Sequence, residues 1–278
     1  MLNIGRFNTL TITKTLATGA ALDGGKFGSV LLTRHSDKEQ FNVGEQVSAF
    51  VYLDSEGELA ATTKAPAAQV GEVAYLLVKD CNNIGGFLEW GLTKDLFVPF
   101  SEQTFELKKG QTVLVKLYLD NQNRIAASTR LDHLLSDDVE GLAYGDSVSL
   151  IVGDKTTLGY KAVINHRFWG LLYDNELYQP IKKGQKLTGY IKKVRGDNKV
   201  DLSLVKPGYS KNKIESVCDD ILEKLNQHDG QLLLNDKSPP EAIHSVFGVS
   251  KKIFKQAIGS LYKQRLIIIE AKGIKLNK

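Results

Sequence analysis

The chain has 278 residues, which allows two to four small domains. With 42% hydrophobic and 24% charged residues it falls among ordinary folded proteins, and no apolar run is long enough for a membrane-spanning helix. The net charge of +4 decides nothing by its total, and Cys81 and Cys218 are far apart and in no paired motif, which argues against a disulfide scaffold and for a reducing cytoplasm. The opening stretch "MLNIGRFNTLTITKTLATGA" has no basic segment followed by an apolar one, so no signal peptide is expected.

In chain order, the first elements are short strands. "IGRF" (4–7) opens one, "GAALD" (19–23) and "GSVLL" (28–32) follow, and "VGEQVSAF" (43–50) leads into a hairpin, "VYLDSEGELAATT" (51–63). The order repeats with "VGEV" (70–73), "GGFLE" (85–89), "DLFVP" (95–99), "KGQTVLVK" (109–116) and "LYLDNQNRIAAST" (117–129). It repeats again with "YGDSV" (144–148), "GYKAVI" (159–164), "GLLY" (170–173), "KGQKLTGY" (183–190) and "GYIKKVRGDNKVDLSL" (189–204). Gly5 to Gly44, Gly71 to Gly110 and Gly145 to Gly184 are each 39 residues apart, which marks an internal repeat. Five short antiparallel strands per unit fit a small closed barrel without exposed edges, and the OB-fold is the leading candidate.

After "VKPGYSKNK" (205–213), read as a linker from Pro207-Gly208, Ser210 and Asn212, the pattern becomes helical. In 214–230, Ile214, Val217, Ile221, Leu222 and Leu225 recur at three- and four-residue steps and Gly230 closes the helix. A short helix starts near Pro240, and a longer one follows Ser250 as N-cap, with Ile253, Phe254, Ala257, Ile258, Leu261 and Tyr262 facing the core. "RLIIIEAKGIKLN" (265–277) reads as two strands. This order is that of a winged helix, whose third helix is normally the recognition element. The expected fold is mainly β and multidomain: barrels over 1–66, 67–143 and 144–208, then an α/β winged helix over 209–278.

Charge is unevenly placed. Residues 1–143 hold 13 Lys/Arg against 18 Asp/Glu, residues 144–208 hold 11 against 6, and residues 209–278 hold 12 against 8. The second half attracts a polyanion and the first half repels one. Lys192, Lys193, Arg195 and Lys199 crowd one hairpin, where like charges repel across strands. Aligned by their turns, Asp54 and Asp120 correspond to Arg195. The third unit also has one extra residue, since Gly44 to Asp54 and Gly110 to Asp120 are 10 apart and Gly184 to Arg195 is 11. A bulge near Lys192–Lys193 is therefore expected, with Ile191 and Val194 keeping the inward places and both lysines leaning outward. A bound phosphate backbone would relieve the repulsion.

The strand openings and hairpins resemble the S-one RNA-binding domain, an OB-fold repeat. Its succession of V-G-x-V, G-x-F-V, G-L-V-H-I-S, V-G-x-x-V and D-x-x-x-x-x-I-x-L-S is echoed by "QVGEV", "GGFLE", "LFVP", "KGQTV" and "DNQNRIAAS" in the second unit. In the third it is echoed by "YGDSV", "LGYKAV", "GLLY", "KGQKL" and "RGDNKVDLSL". Three such repeats and a helical tail resemble the conserved virulence factor B family. That resemblance implies a cytoplasmic, RNA-binding, post-transcriptional regulator of virulence expression in bacteria. The family's strand-two aromatic falls on Phe87 in the second unit, on Ala21 in the first, and on either Tyr160 or Lys161 in the third. The histidine of G-L-V-H falls at Leu31, near Val98 or Pro99, and at Tyr173. The first unit thus lacks both contact residues and is not expected to bind RNA itself.

The residues expected at RNA are Tyr160, Lys161, Trp169, Tyr173, Lys192, Lys193, Arg195, Lys199 and Phe87, with stacking on the aromatics and phosphate contacts from the cations. Phe168, Trp90, Phe97 and Phe100 read as structural. On the winged helix the expected contacts are Lys251, Lys252, Lys255, Lys263 and Arg265. The five histidines, His35 among them, show no metal-ligand spacing, and no P-loop, dinucleotide fingerprint or nucleophile motif is present. "DD" at 137–138 and 219–220 reads as solvated charge. No catalytic activity, cofactor, metal or membrane partner is expected. Single-stranded RNA is the leading partner. A DNA-binding winged helix with the barrels as partner modules, engaging duplex nucleic acid, is the alternative. The acidic first half offers a surface to a protein partner.

Overall fold

The computed structural model describes residues 2–34, 40–177, 180–206 and 209–277, so His35, Pro207 and Gly208 lie outside the described residues. It divides into two compact units, Met1–Leu204 and Val205–Lys278.

The first unit holds three closed five-stranded barrels. The first is built from β1 (Phe7–Leu16), β2 (Gly19–Asp23), β3 (Ser29–Thr33), β4 (Gln46–Leu53) and β5 (Leu59–Thr62). The second uses β6 (Val73–Asn82), β7 (Gly85–Glu89), β8 (Leu96–Pro99), β9 (Thr112–Leu119) and β10 (Ile125–Ser128). The third uses β11 (Ser147–Lys155), β12 (Gly159–Ile164), β13 (Phe168–Tyr173), β14 (Lys186–Val194) and β15 (Val200–Ser203). In each, the first strand pairs with the second and fourth, and the third pairs in parallel with the fifth. Alternate residues fill the barrels: Val148, Leu150 and Val152 of β11 meet Ala162, Leu172, Ile191 and Leu202 in the third. Each fully buried Leu or Ile there contributes ~1.5–3 kcal/mol.

The 39-residue glycine spacing has a structural basis. Gly44, Gly110 and Gly184 lie just before the fourth strands with φ of +89°, +85° and +81°, which side chains rarely adopt. The hairpin turns are equivalent as well. Asp54, Asp120 and Arg195 each donate their N–H to the carbonyl four residues on, at Glu58, Arg124 and Lys199. The left-handed residue of each turn is Gly57, Asn123 and Asn198. Pairing slips between Ile191↔Leu202 and Lys193↔Asp201, so the expected bulge falls on Lys192. Ile191 is buried, while Lys192 and Lys193 are exposed.

The barrels are packed together. Phe50 of the first lies in the apolar cluster of the second and meets Trp90 edge-on at 5.9 Å between ring centroids. Between the second and third, Val73, Leu114, Ile151 and Val163 bury Leu131 and Leu135 of the connecting segment, where α1 (Leu131–Leu134) forms. The Val73 N–H donates to His166 Nδ1 at 2.9 Å. Gly184 faces Tyr75, whose ring would stand 1.9 Å from a Cβ at that position.

The second unit comprises α2 (Tyr209–Gln227), β16 (Gln231–Leu232), α3 (Pro240–Phe247), α4 (Lys251–Lys263), β17 (Ile267–Glu270) and β18 (Gly273–Leu276). It is a winged helix, with three strands in the order β16-β18-β17 rather than the two expected. The first helix starts at Tyr209, inside the expected linker, because Ser and Asn cost only tenths of a kcal/mol in a helix already fixed by its apolar face. Ser250 Oγ caps α4 by accepting from Ile253 N–H, and Phe254, Ala257, Ile258 and Leu261 are buried. Tyr262, expected inward, is exposed: it lies about 100° around the helix from Leu261, which holds the inward place.

Candidate nucleic-acid interface

On the outer face of each barrel, one residue from each of four strands forms a row across the sheet. In the second barrel the register aligns Phe87, Phe97, Ala126 and Tyr118. Their sequence neighbours Leu88, Val98, Ala127 and Leu117 are buried, so the row faces outward. Phe87 and Phe97 lie 5.3 Å apart between ring centroids. Tyr52 of the first barrel joins Phe87, Phe97 and Tyr118 around a cleft of about 570 Å³. Burial, then the charges of Glu102 and Asp120, push the Tyr118 hydroxyl above its usual pKa. The row thus offers apolar rings at a partly open surface, the geometry that accepts stacked bases.

The equivalent row in the first barrel is Ala21, Leu31, Ala60 and Tyr52. In the third it is Lys161, Leu171, Asp201 and Lys193. One open alternative is decided and one expectation changes. Lys161, and not Tyr160, takes the place of Phe87; Tyr160 occupies the place of Gly86 and packs against its own barrel's core, under Lys155 Nζ at 5.4 Å from the ring. Leu31 corresponds to Phe97 and Leu171, whereas Tyr173 corresponds to Thr33 and Pro99, so Leu31 and Tyr173 are not the same position. Strand alternation places neighbouring side chains on opposite faces, and a one-residue slip in alignment exchanges them.

Most cations of the third barrel's hairpin are paired within the chain. Arg195 forks onto Asp201, with Nη2 2.7 Å from Oδ1 and Nε 3.1 Å from Oδ2. Its Nη2 also donates to the Tyr173 hydroxyl, which donates to Asp201 Oδ1 at 3.2 Å. The hydrogen bond to Asp201 and that carboxylate's charge hold Arg195 all the more firmly protonated. Lys192 pairs with Glu176, and Lys199 pairs with Asp197 at 2.9 Å. Lys161 Nζ lies 3.0 Å from Asp132 Oδ1 and 4.3 Å from the centre of the Trp169 ring. Among the described residues Lys193 has no ion pair. Three of the four cations, Lys192, Arg195 and Lys199, are thus balanced by carboxylates of the same barrel, two of them from the hairpin itself, so their mutual repulsion is relieved without a bound phosphate, and Lys193 alone is left for one.

The structure brings Lys161, Trp169, Arg195 and Lys199 together around one cleft, with Lys193 beside them in the same row and Tyr173 tied to Arg195. Phe87 belongs to the separate aromatic face, to which Phe97, missed in the sequence, also belongs. A period-two count along "LFVP" places Phe97 opposite the inward Leu96 and Val98. Phe168 and Trp90 are buried, while Phe100 is exposed. On the winged helix, Lys252, Lys255, Lys263 and Arg265 are exposed and Lys251 half-buried. Among the described residues none of these five is in an ion pair. No three His, Cys, Asp or Glu side chains among the described residues converge to hold a metal.

The S1 domain model matches residues 4–64 and 70–130, and the CvfB-like winged helix domain model matches residues 219–276. The third barrel has the same topology but lies outside the S1 matches, and its outer row and bulge depart from the other two. A protein named conserved virulence factor B from Staphylococcus epidermidis is 27% identical over 252 residues, covering 87% of this chain and 84% of the relative. YitL of Bacillus subtilis, described as uncharacterized, is 27% identical over 272 residues, covering 93% and 89%. A crystal structure of a multidomain protein with nucleic acid binding domains from Streptococcus pneumoniae is 24% identical and covers 98% of both chains, at a TM-score of 0.41. Nucleic-acid binding is the activity these domains point to, and none of the matched models is an enzymatic domain. With tandem S1 domains and a CvfB-like winged helix domain, the chain belongs to the conserved virulence factor B family.

Proposed function

We propose that the chain is a non-enzymatic, cytoplasmic RNA-binding protein that regulates gene expression after transcription, including that of virulence factors. Single-stranded RNA lies on the outer faces of the second and third barrels. The observation that supports this most directly is the outer row itself: aromatic in the second barrel at Phe87, Phe97 and Tyr118, and lysine-bearing in the third at Lys161 and Lys193. Rings take bases, and Lys193, in no ion pair among the described residues, takes a phosphate. The winged helix contributes Lys251, Lys252, Lys255, Lys263 and Arg265.

The test is salt-titrated binding of the whole chain to a single-stranded RNA, with duplex DNA as competitor. RNA binding that duplex DNA fails to displace, with a salt slope of several phosphates, is expected. A second reading, a DNA-binding winged helix, is favoured by the cations of α4, none of which is in an ion pair among the described residues. Preferential duplex binding would select it over the first.

A further inference from the structure

On the third barrel a cleft of about 440 Å³ lies between the β14–β15 turn and the segment linking the second and third barrels. Asp137 from that segment, Asn198 and Lys199 from the turn, and Lys161 and Trp169 from the outer face all line it. Its volume is within the range of sites that take small planar ligands. Its charge is balanced: Lys161, Arg195 and Lys199 are met by Asp137, Asp197 and Asp201. A phosphate entering would face three carboxylates. Each cation there already has a carboxylate partner, at Asp132, Asp201 and Asp197. Asp137 is different. Its side chain is exposed and has no hydrogen bond or ion pair among the described residues, so a carboxylate held only by solvent is left on the wall. Trp169 adds a ring, and its Nε1 is buried without a hydrogen-bond partner. Glycine at 153 makes room for that ring, since a Cβ there would stand 3.3 Å from Cζ3.

We infer that this cleft takes one unstacked guanine of a single-stranded nucleic acid, read by the Asp137 carboxylate. The inference deepens the single-strand reading above and rests on it. An unpaired carboxylate offers acceptors only. Guanine is the base whose pairing edge presents two adjacent donors, N1–H and N2–H, and so matches it at two points. Adenine and cytosine present an amine beside an acceptor nitrogen, and uracil a single N–H between two carbonyls; each sets an acceptor against the carboxylate. Lys199 and Asn198 supply donors for the guanine O6. Trp169 supplies the stacking surface that single-strand binders use for every base, with the Lys161 ammonium, 4.3 Å from its ring centre, moving aside for the guanine.

The whole chain is titrated by fluorescence anisotropy with a ten-nucleotide uridine RNA and with the same RNA carrying one central guanosine. The guanosine decamer should bind about tenfold tighter, the scale of one two-point base contact. In Asp137→Asn, which turns one acceptor into a donor, the two decamers should bind alike. Equal affinities in the native chain, or an undiminished guanosine advantage in the variant, overturn the inference. A second measurement keeps the two readings apart. Guanosine monophosphate should quench the native tryptophan fluorescence, uridine monophosphate should not, and Trp169→Phe should remove the quench. If neither decamer binds, the single-strand reading fails. Quenching by guanosine monophosphate would still support the cleft, and its absence would overturn it.

Discussion

Arg195 holds Asp201 at two points across the β14–β15 hairpin, with Nη2 2.7 Å from Oδ1 and Nε 3.1 Å from Oδ2. The other two barrels carry Asp54 and Asp120 at the position of Arg195. Those carboxylates accept from backbone N–H groups of their own turns, Asp54 from Glu56 and Glu58, Asp120 from Gln122 and Arg124. The third barrel moves the carboxylate to the facing strand and ties Tyr173 into the same network. A cation that looked available for phosphate is part of the barrel's own structure.

Arg195→Ala should therefore lower the melting temperature rather than relieve a repulsion, because the Asp201 carboxylate, with a side chain only 13% exposed, loses its partner. The double variant with Asp201→Ala should melt no lower than Arg195→Ala alone, since removing both partners leaves no orphaned charge. Thermal melts of the native chain, the two single variants and the double variant decide this; a variant at Arg195 that melts like the native chain would show the pair to be decoration.

Lys193 is the hairpin cation without an ion pair among the described residues, and it occupies the outer row. Lys193→Ala should weaken binding to all RNA sequences alike and reduce the log–log salt slope by ~0.7, one phosphate on a single strand. Lys192→Ala and Lys199→Ala should change the slope less, because Glu176 and Asp197 already neutralise those ammonium groups. A slope that responds equally to all three would mean the ion pairs open freely on binding.

Phe87 and Phe97 present their rings on the outer face, so truncating them leaves the barrel's buried side chains in place. The double alanine variant should bind single-stranded RNA more weakly by ~1–3 kcal/mol for each base that stacks there, with far-ultraviolet circular dichroism unchanged. Full affinity in a folded double variant would remove the second barrel from the interface.

The repeat, the barrel and the bulge are readable in the sequence because each is a counting property: equal glycine spacings, five strands per unit, one surplus residue before Arg195. Direction and partnership are not. Tyr160 and Lys161 are adjacent in sequence, and only the register of β12 against β13 says which one faces outward. Likewise, nothing near Lys161 or Lys192 in sequence announces Asp132 or Glu176, which the fold brings to them from 29 and 16 residues away. Net charge per segment is correct as a count, yet it overstates the third barrel, where most cations of the hairpin are paired. β16 escapes a sequence reading because two residues, Gln231 and Leu232, carry no periodic signal.

Gly184 tests the packing of the second barrel against the third. Its φ of +81° disfavours any side chain, and a Cβ would stand 1.9 Å from the Tyr75 ring. Gly184→Ala should cost about 1–3 kcal/mol, as overpacking and backbone strain do elsewhere, measured by urea unfolding. Unaltered stability would mean that Tyr75 swings aside at no cost and that the two barrels are loosely joined.

The winged helix provides the last prediction. Lys252, Lys255, Lys263 and Arg265 are exposed, and none is in an ion pair among the described residues, in contrast to the paired cations of the third barrel. Free cations release more counterions on binding than cations that must first leave a carboxylate. Replacing all four with alanine should therefore flatten the salt dependence of RNA binding by up to ~0.7 for each phosphate left without its cation, more than the same treatment of Lys192 and Lys199. The apolar positions of α4 that hold the unit together, Phe254, Ala257, Ile258 and Leu261, are untouched, so the variant should fold. If RNA binding keeps its slope while duplex DNA binding disappears, the winged helix reads DNA, and the barrels alone hold the RNA. If neither slope moves, these four charges face only solvent.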